Sequence, residues 1–287
     1  MATLGSMSDA ETPAPSAPPT GPQRPSDAIE GAAVHAPSRG NRKLEALLAA
    51  ANDDDHVKGM WHMQQVFADR LGMSDHSRVH IQVVLNVALR LFRLLAKRGV
   101  EPAMVTDHLM RERDAEVVIA AACLLHDSGM SIHRTDHESY SLFLAAQALP
   151  GLLADVYAEP ERTVIVAEAL HAIIGHRRRG DPITVEAGIV RVADALDLAQ
   201  GRSRVPFENR RPNIHSLSAA AIDSVEIKAG DERAVTIEIA MNNSSGIFQV
   251  DELLATKLRG SGLEQHVEVV ARIDAEHEKR LVPVFRI

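Results

Sequence analysis

Apolar residues recur every three or four positions through the middle of the chain, which is the spacing of one face of an α-helix. The clearest run lies at residues 77–98, where Val84, Ala88, Leu91 and Leu95 share a face and Gly99 follows as a helix stop. The same spacing predicts further helices at residues 41–51, 57–71, 103–111, 115–125, 138–149, 161–174 and 185–200. We therefore expect a mainly α protein with an all-α bundle at residues 41–214.

The period changes to two near residue 215. Residues 225–227 and 235–239 alternate apolar and polar side chains around a turn at 230–232, which predicts a β-hairpin. A helix at 250–258 and strands at 267–273 and 281–287 complete the pattern. We expect a small α+β domain at residues 215–287, and its position suggests a regulatory or dimer-forming role.

The first 40 residues have a different composition. They contain seven of the fourteen prolines and none of the nine aromatic residues, and Ala, Ser and Gly fill much of the rest. Such a segment cannot bury enough apolar surface to offset its ordering entropy. Residues 1–40 are therefore predicted to be a disordered Pro/Ala/Ser-rich tail.

Charge and cysteine content exclude several protein classes. The formal net charge of -8 argues against nucleic-acid binding through overall basicity. A single cysteine, Cys123, excludes an intramolecular disulfide and is expected to be a small buried hydrophobe. No apolar run exceeds nine residues, far below the roughly 20 that cross a bilayer. Because the N-terminus also lacks the order of a signal peptide, we expect a cytoplasmic protein with no membrane partner.

Several ionisable side chains lie among apolar residues. His80 shares a helix face with Val84, His126 and Asp127 end the most apolar helix, and Asp194 lies within the aliphatic run 189–196. A buried imidazole or carboxylate must find a partner, and a cation serves both. Four such groups in one bundle favour a metal site over four unrelated structural residues.

The order His, then His-Asp, then Asp on separate helices resembles the HD superfamily of metal-dependent phosphohydrolases. The resemblance covers about residues 57–204. It implies an HD-type helical bundle in which His80, His126, Asp127 and Asp194 bind metal, with Asp127 also catalytic and able to bridge two ions. His76 is the alternative to His80 as the first ligand. Imidazole and carboxylate ligands favour a divalent Mn, Fe, Co, Ni or Zn ion, or Mg with more water.

A second ion is a further expectation from the resemblance. His137 and His176 resemble the additional histidines of members that hold two metal ions. The alternative for His137 is a solvated histidine at a loop or helix start. His133 and His171 are expected to lie outside the site.

Basic residues follow two of these motifs. Arg177 comes directly after His176, and Arg202 and Arg204 follow the helix of Asp194. Guanidinium groups gathered near the metal would bind a substrate phosphate, whereas the alternative is that they are solvated helix ends. No phosphate-binding loop of the P-loop type and no dinucleotide-binding glycine motif is present in the sequence.

The resemblance implies hydrolysis of a small-molecule phosphoester, with a nucleotide as the expected substrate, by a metal-activated water. An alternative is a binding module that senses a nucleotide through the arginines without turnover. A third is a purely structural metal, which would be enclosed by its ligands. We expect no sequence-specific nucleic-acid binding, and a homodimer through the C-terminal domain would fit its position.

Overall fold

The computed structural model describes residues 24–73, 75–198 and 218–273. Its first two described ranges are helical, and the last is mixed. The helices are α1 (Pro25–Ile29), α2 (Arg42–Asp53), α3 (Asp55–Leu71), α4 (Arg78–Lys97), α5 (Ala103–Thr106), α6 (Glu112–Leu125), α7 (His137–Leu152), α8 (Glu161–Gly175) and α9 (Val185–Ala195). A 3-10 turn, Ser128–Ser131, separates α6 from α7.

The C-terminal range holds a small sheet and one short helical segment. The strands are β1 (Ile222–Ala229), β2 (Val235–Met241) and β3 (Val267–Ile273). Between β2 and β3 lie a 3-10 turn (Ser244–Gly246) and a π-helical turn (Gln249–Ala255) that continues into α10 (Thr256–Leu258). The mainly α fold with a small C-terminal α+β part is confirmed.

Side-chain caps start the helices that lead to the site. Asn41 accepts a hydrogen bond from Leu44 N at 3.3 Å at the start of α2. Asp54 caps α3 in the same way, and Ser77 caps α4 through Val79 N at 3.0 Å. These caps satisfy backbone N–H groups that the helix itself leaves without partners.

Helix α6 lies at the centre of the bundle. Every residue from Asp114 to Leu125 is buried, and the helix packs against α2, α4, α8 and α9. Cys123 is fully buried and burial raises the pKa of its thiol, so the prediction of a small buried hydrophobe is confirmed. The indole Nε1 of the buried Trp61 donates to Leu124 O at 2.8 Å and fixes the last turn of α6 against α3.

The sheet has the order β1-β2-β3. Strands β1 and β2 are antiparallel, with Ile227 opposite Ile237, which confirms the predicted hairpin. Strands β2 and β3 are parallel. The side chains of Val235, Ile237 and Ile239 are buried, and Arg90 of α4 donates to Ile227 O at 2.6 Å. The sheet is therefore attached to the helical bundle through β1.

One apolar cluster runs through both parts of the chain. Ile237 of the sheet, Leu254 of the π-helical turn and Leu263 before β3 belong to the same cluster as the core residues of α4, α6 and α9. The boundary predicted at residues 214 and 215 lies outside the described residues. On both sides of that gap the described residues share one core.

The tail prediction is wrong for residues 24–40. This stretch contains α1 and the fully buried Val34. Val34 N donates to Asn52 Oδ1 at 2.8 Å, and Asn52 Nδ2 donates back to Val34 O at 2.9 Å. Further contacts join the backbone of His35 to the side chains of Gln82 and Asn86 in α4, at 3.1 and 3.0 Å. These contacts and the buried Val34 hold a segment whose composition is typical of disorder. Residues 1–23 lie outside the described residues.

Other differences concern element ends. The helix predicted at 103–111 is limited to α5, because the backbone of Leu109 is left-handed with φ of 54°. Helix α9 ends at Ala195, and the strand predicted at 281–287 lies outside the described residues. Helix α4 is long and apolar enough to cross a membrane by length and composition alone. Half of it is buried inside the protein, as in a core helix.

Candidate metal centre

A first ligand group joins three helices. His80 lies in the first turn of α4, His126 directly follows α6, and Asp194 lies in the last turn of α9. His80 Nε2 is 3.2 Å from His126 Nε2 and 3.4 Å from Asp194 Oδ1, and His126 Nε2 is 3.8 Å from the same oxygen. Both imidazoles are completely buried, so their nearness reflects the packing of the bundle core.

A second ligand group lies beside the first. It consists of Asp127, of His137 at the start of α7 and of His176 just after α8. Asp127 Oδ1 is 3.1 Å from His137 Nε2 and 3.7 Å from His176 Nε2. All three residues are buried.

Asp127 belongs to both groups. Its Oδ2 is 3.3 Å from His80 Nε2 and 3.5 Å from His126 Nε2, whereas its Oδ1 faces His137 and His176. One carboxylate thus offers one oxygen to each group. Such a carboxylate could bridge two metal ions, one held at each group.

The turn after α6 brings α7 to this carboxylate. Ser141 Oγ donates to His126 O at 2.6 Å and accepts from Gly129 N at 2.8 Å. A Cβ at position 129 would overlap with the carbonyl oxygen of His137, so only glycine permits this close approach. The contact sets His137 against Asp127.

The hydrogen bonds of the ring nitrogens define the tautomers. His80 Nδ1 lies 2.6 Å from Asp197 Oδ2, His126 Nδ1 lies 2.9 Å from Cys123 O, and His176 Nδ1 contacts Ile173 O. A carboxylate or carbonyl oxygen only accepts, so each Nδ1 carries the proton and each Nε2 keeps a lone pair.

His137 differs from these three. Its Nδ1 lies 2.9 Å from Arg134 Nη1, which only donates, and 3.1 Å from Arg134 O, which only accepts, so these contacts do not fix its tautomer. Three imidazole lone pairs, the ring of His137 and the oxygens of two carboxylates therefore converge in one buried place. Such a cluster of acceptors is stabilised by cations, and the donor set fits one or two divalent metal ions.

The ionisation states suit metal binding. Burial by itself raises the pKa of Asp127, but the imidazoles around it, His126 first, hold this pKa well below its usual value. Burial also raises the pKa of Asp194, and the charge of Lys257 outweighs it, so this pKa too is well below the usual value. Both carboxylates are consequently charged at neutral pH.

The two histidines of the second group differ. Burial lowers the pKa of His176 well below its ordinary value, and the charge of Lys257 adds to this effect, so the ring is neutral. Burial lowers the pKa of His137 as well, but its contact with Asp127 outweighs burial and raises the pKa. A metal ion at Asp127 would therefore compete with a proton at His137.

The structure thus brings together the six side chains predicted to bind metal, and their role as ligands remains a prediction. His76 is buried with its ring centroid 5.6 Å from that of His80, but it belongs to neither ligand group among the described residues. His133 is exposed, and His171 accepts from Ile183 N at 3.1 Å, so both lie outside the groups as expected.

The predicted phosphate-binding arginines are only partly described. Arg202 and Arg204 lie in the range 199–217, outside the described residues. Arg177 follows His176 and is half-buried, and its carbonyl oxygen accepts from Arg191. Its contact with a phosphate stays a prediction.

Sequence reasoning missed two residues at the centre. Asp197 orients His80, and its signal in the sequence is a second acidic residue one helical turn after Asp194. Lys257 forms an ion pair with Asp194 Oδ2. Lys257 lies 63 residues after Asp194, and nothing in the local sequence around it indicates this contact.

Comparison with known proteins agrees with the geometry. The family model described as "HD domain" matches residues 55–199, a range that contains all six side chains. An uncharacterized protein of Methanocaldococcus jannaschii, MJ1020, is 40% identical over 216 residues, which cover 75% of this chain and 82% of that protein. With the His, His-Asp and Asp positions assembled in one buried centre, the chain belongs to the HD superfamily of metal-dependent phosphohydrolases.

Proposed function

We propose that the protein hydrolyses a phosphoester of a small molecule, with a nucleotide as the expected substrate. The position of Asp127, one oxygen toward each of two ligand groups, is the observation that carries this proposal. The expected cofactor is one or two divalent ions of Mn, Fe, Co, Ni, Zn or Mg. Hydrolysis is expected to take place in the cytoplasm.

The chain's own residues supply orientation and charge. Bound divalent ions act as Lewis acids toward a phosphoryl oxygen and lower the pKa of a water molecule. Asp127 links the two ligand groups, because one of its oxygens faces each group. Asp197 accepts from His80 Nδ1 and so keeps the lone pair of His80 at Nε2. Arg177, Arg202 and Arg204 are the proposed contacts to the phosphate.

The second ligand group favours catalysis over a structural metal. Counting the shared Asp127, the first group offers four side chains and the second offers three among the described residues, whereas a structural tetrahedral site uses four protein ligands. An ion at the second group would therefore keep a coordination position for water or substrate. The second candidate function, nucleotide sensing without turnover, would use the same centre and arginines. Association of two copies through the C-terminal part would suit either function.

Metal content and turnover test the proposal together. Protein purified without chelator should contain up to two equivalents of a divalent metal and hydrolyse members of a phosphoester panel. Asp127→Ala should lose metal and metal-dependent hydrolysis, because both groups share this carboxylate. Asp155→Ala, at an exposed carboxylate on the outside of the bundle, is the matched control and should behave as wild type.

Full hydrolytic activity in Asp127→Ala would contradict the assignment. Metal bound in stoichiometric amount with no turnover of any phosphoester would favour the sensing function instead. Circular dichroism of both variants shows whether the bundle is retained.

A further inference from the structure

Lys257 enters the metal centre from outside the residues that match the HD family model. It lies in α10, after β2, and its Nζ forms an ion pair with Asp194 Oδ2. The side chains of Lys257 and Asp194 are only 17% and 12% exposed. A buried ion pair of this kind carries a desolvation cost that a surface pair does not. Stabilisation of the fold alone therefore does not account for this ion pair.

The two oxygens of Asp194 have different partners. Oδ1 faces the imidazoles of His80 and His126, at 3.4 and 3.8 Å, and Oδ2 faces Lys257. The lysine thus fixes the rotation of the carboxylate. One oxygen is left for an ion, and the other is held by the chain itself.

Arg191 holds the backbone of Lys257 in place. This arginine precedes Asp194 by nearly one turn of α9 and is 2% exposed. Its Nε donates to Lys257 O at 2.8 Å, and its Nη2 donates to Arg178 O at 2.8 Å. One guanidinium therefore ties α10 to the turn that follows His176.

A close backbone contact continues this attachment along α9. Gly188 lies nearly one turn before Arg191, and a Cβ at this position would overlap with the carbonyl oxygen of Ser261. The residues after α10 thus lie directly on the helix that carries Asp194. Lys257 is held at the centre by the contact at its own carbonyl group and by the contact at Ser261 after it.

The ammonium group keeps hydrogen-bonding capacity. An ammonium has three N–H donors, and Asp194 Oδ2 is the one partner found for Lys257 Nζ within the described part of the chain. The side chain is therefore at the first ligand group, with two N–H donors left.

Charge balance indicates which ligand would suit this lysine. Two divalent ions carry four positive charges, and Asp127, Asp194 and Asp197 carry three negative ones. The opposite charges of Glu138 and Arg134 beside His137 offset each other, and Lys257 adds a further positive charge. A centre with excess positive charge binds a doubly charged terminal phosphate more strongly than a singly charged diester.

We propose that Lys257 is a third cation of the metal centre, which holds Asp194 and binds the terminal phosphate of a phosphomonoester. The proposal rests on the phosphohydrolase function proposed above and narrows its substrate class to phosphomonoesters. It also makes α10 and its flanking residues part of the active site. Lys257 is then a substrate-binding residue as well as a positioning residue.

Binding measurements on the full-length chain test this role without turnover. Lys257→Met removes the charge and keeps most of the aliphatic stem, and Lys257→Arg keeps the charge. The matched control is Arg259→Met, because Arg259 is exposed on the same segment and its loss changes the net charge equally. Calorimetry first measures binding of Mn²⁺ alone. It then measures orthophosphate and dimethyl phosphate binding to the Mn²⁺-loaded protein.

The expected result is a loss of phosphate binding without a loss of metal binding. In Lys257→Met, the Kd for orthophosphate rises about tenfold, the usual effect of losing one charge-assisted contact. Affinity for Mn²⁺ stays the same or increases, because a competing cation has left Asp194. Dimethyl phosphate binding changes less than orthophosphate binding. Lys257→Arg stays within about threefold of wild type, and Arg259→Met is unchanged.

Two results would overturn the proposal. One is an orthophosphate Kd in Lys257→Met within twofold of wild type. The other is a parallel loss of Mn²⁺ and orthophosphate binding, which would reduce Lys257 to a support for Asp194. Should the methionine variant not fold, Lys257→Gln carries the same test. Failure of the proposed hydrolase function would differ from both, since wild type would then bind Mn²⁺ and orthophosphate but hydrolyse no phosphoester.

Discussion

Buried carboxylates lie near both ends of α6, but the groups that surround them differ. At the N-terminal end, Asp114 is 3% exposed and accepts from Lys43 Nζ at 2.7 Å, from Tyr157 OH at 2.7 Å and from Arg111 N at 3.0 Å. At the other end, the carboxylate of Asp127 follows two residues after the last residue of α6. The carboxylate of Asp114 is therefore satisfied by hydrogen-bond donors of the chain itself.

Glu116, near the same N-terminal end, repeats this arrangement. Its Oε1 accepts from Arg93 Nε at 2.6 Å, and its Oε2 accepts from Asn41 Nδ2 at 2.9 Å. Around Asp127 Oδ2, by contrast, the facing atoms are the Nε2 lone pairs of His80 and His126, whose protons lie on Nδ1. A buried carboxylate indicates function where its neighbours cannot satisfy it, and structure where they can.

The largest expected effect comes from removing a ligand at the C-terminal end of α6. His126→Ala should lower metal-dependent phosphoester hydrolysis by at least about 1,000-fold, since the first ligand group loses one of its four side chains, the shared Asp127 included. Elemental analysis should show the loss of one metal equivalent. The control is His108→Ala, which removes a half-buried imidazole that pairs with Glu168 at 3.0 Å, away from the centre. Equal activities of His126→Ala and His108→Ala would contradict a functional role for the C-terminal end of α6.

A smaller effect, on stability alone, is expected at the N-terminal end. Asp114→Ala leaves Lys43 and Tyr157 without their acceptor and should lower the free energy of unfolding by about 3 kcal/mol. Urea unfolding measures this change. Metal content per folded chain should stay at the wild-type value. Loss of metal in this variant would show that the two ends of α6 are not independent.

The smallest effect is a pH dependence of that stability. Burial raises the pKa of Asp114, but the contacts with Lys43, Tyr157 and Arg111 outweigh burial and lower the pKa below its ordinary value of 3.8. A carboxyl with a lower pKa in the folded state stabilises the protein above its unfolded pKa and loses this contribution as pH falls through the folded value.

Wild type and Asp114→Asn, both treated with chelator, provide the measurement. Their difference in unfolding free energy should be constant from about pH 7 to about pH 5 and should shrink as the pH falls below about 4. A difference that grows on acidification would contradict the sign of the pKa shift.

The sequence is informative where one short segment carries both the chemistry and its surroundings. His80, His126, Asp127 and Asp194 each lie in an apolar helical pattern, so burial and the need for a cation follow from local sequence. His137 and His176 follow from the family resemblance, because they lie at helix ends where no pattern fixes their direction.

Residues that act across long separations are not predictable in this way. Lys257 is one polar residue of a short polar helix, and only packing against α9 brings it to Asp194. The same holds for Val34, which is buried because Asn52 of α2 pairs with its backbone. Local periodicity also predicted a helix at 103–111, because the spacing of apolar residues does not reveal the left-handed backbone of Leu109.

Trp61, the only tryptophan of the chain, gives the protein an intrinsic fluorophore beside the metal centre. Its indole is hydrogen-bonded to the carbonyl of Leu124, two residues before His126. Because Trp61 is 2% exposed, its emission is set by the end of α6 and not by bulk solvent. Occupation of the centre by a paramagnetic ion such as Mn²⁺ will quench this emission, so loading can be followed in real time without an added label.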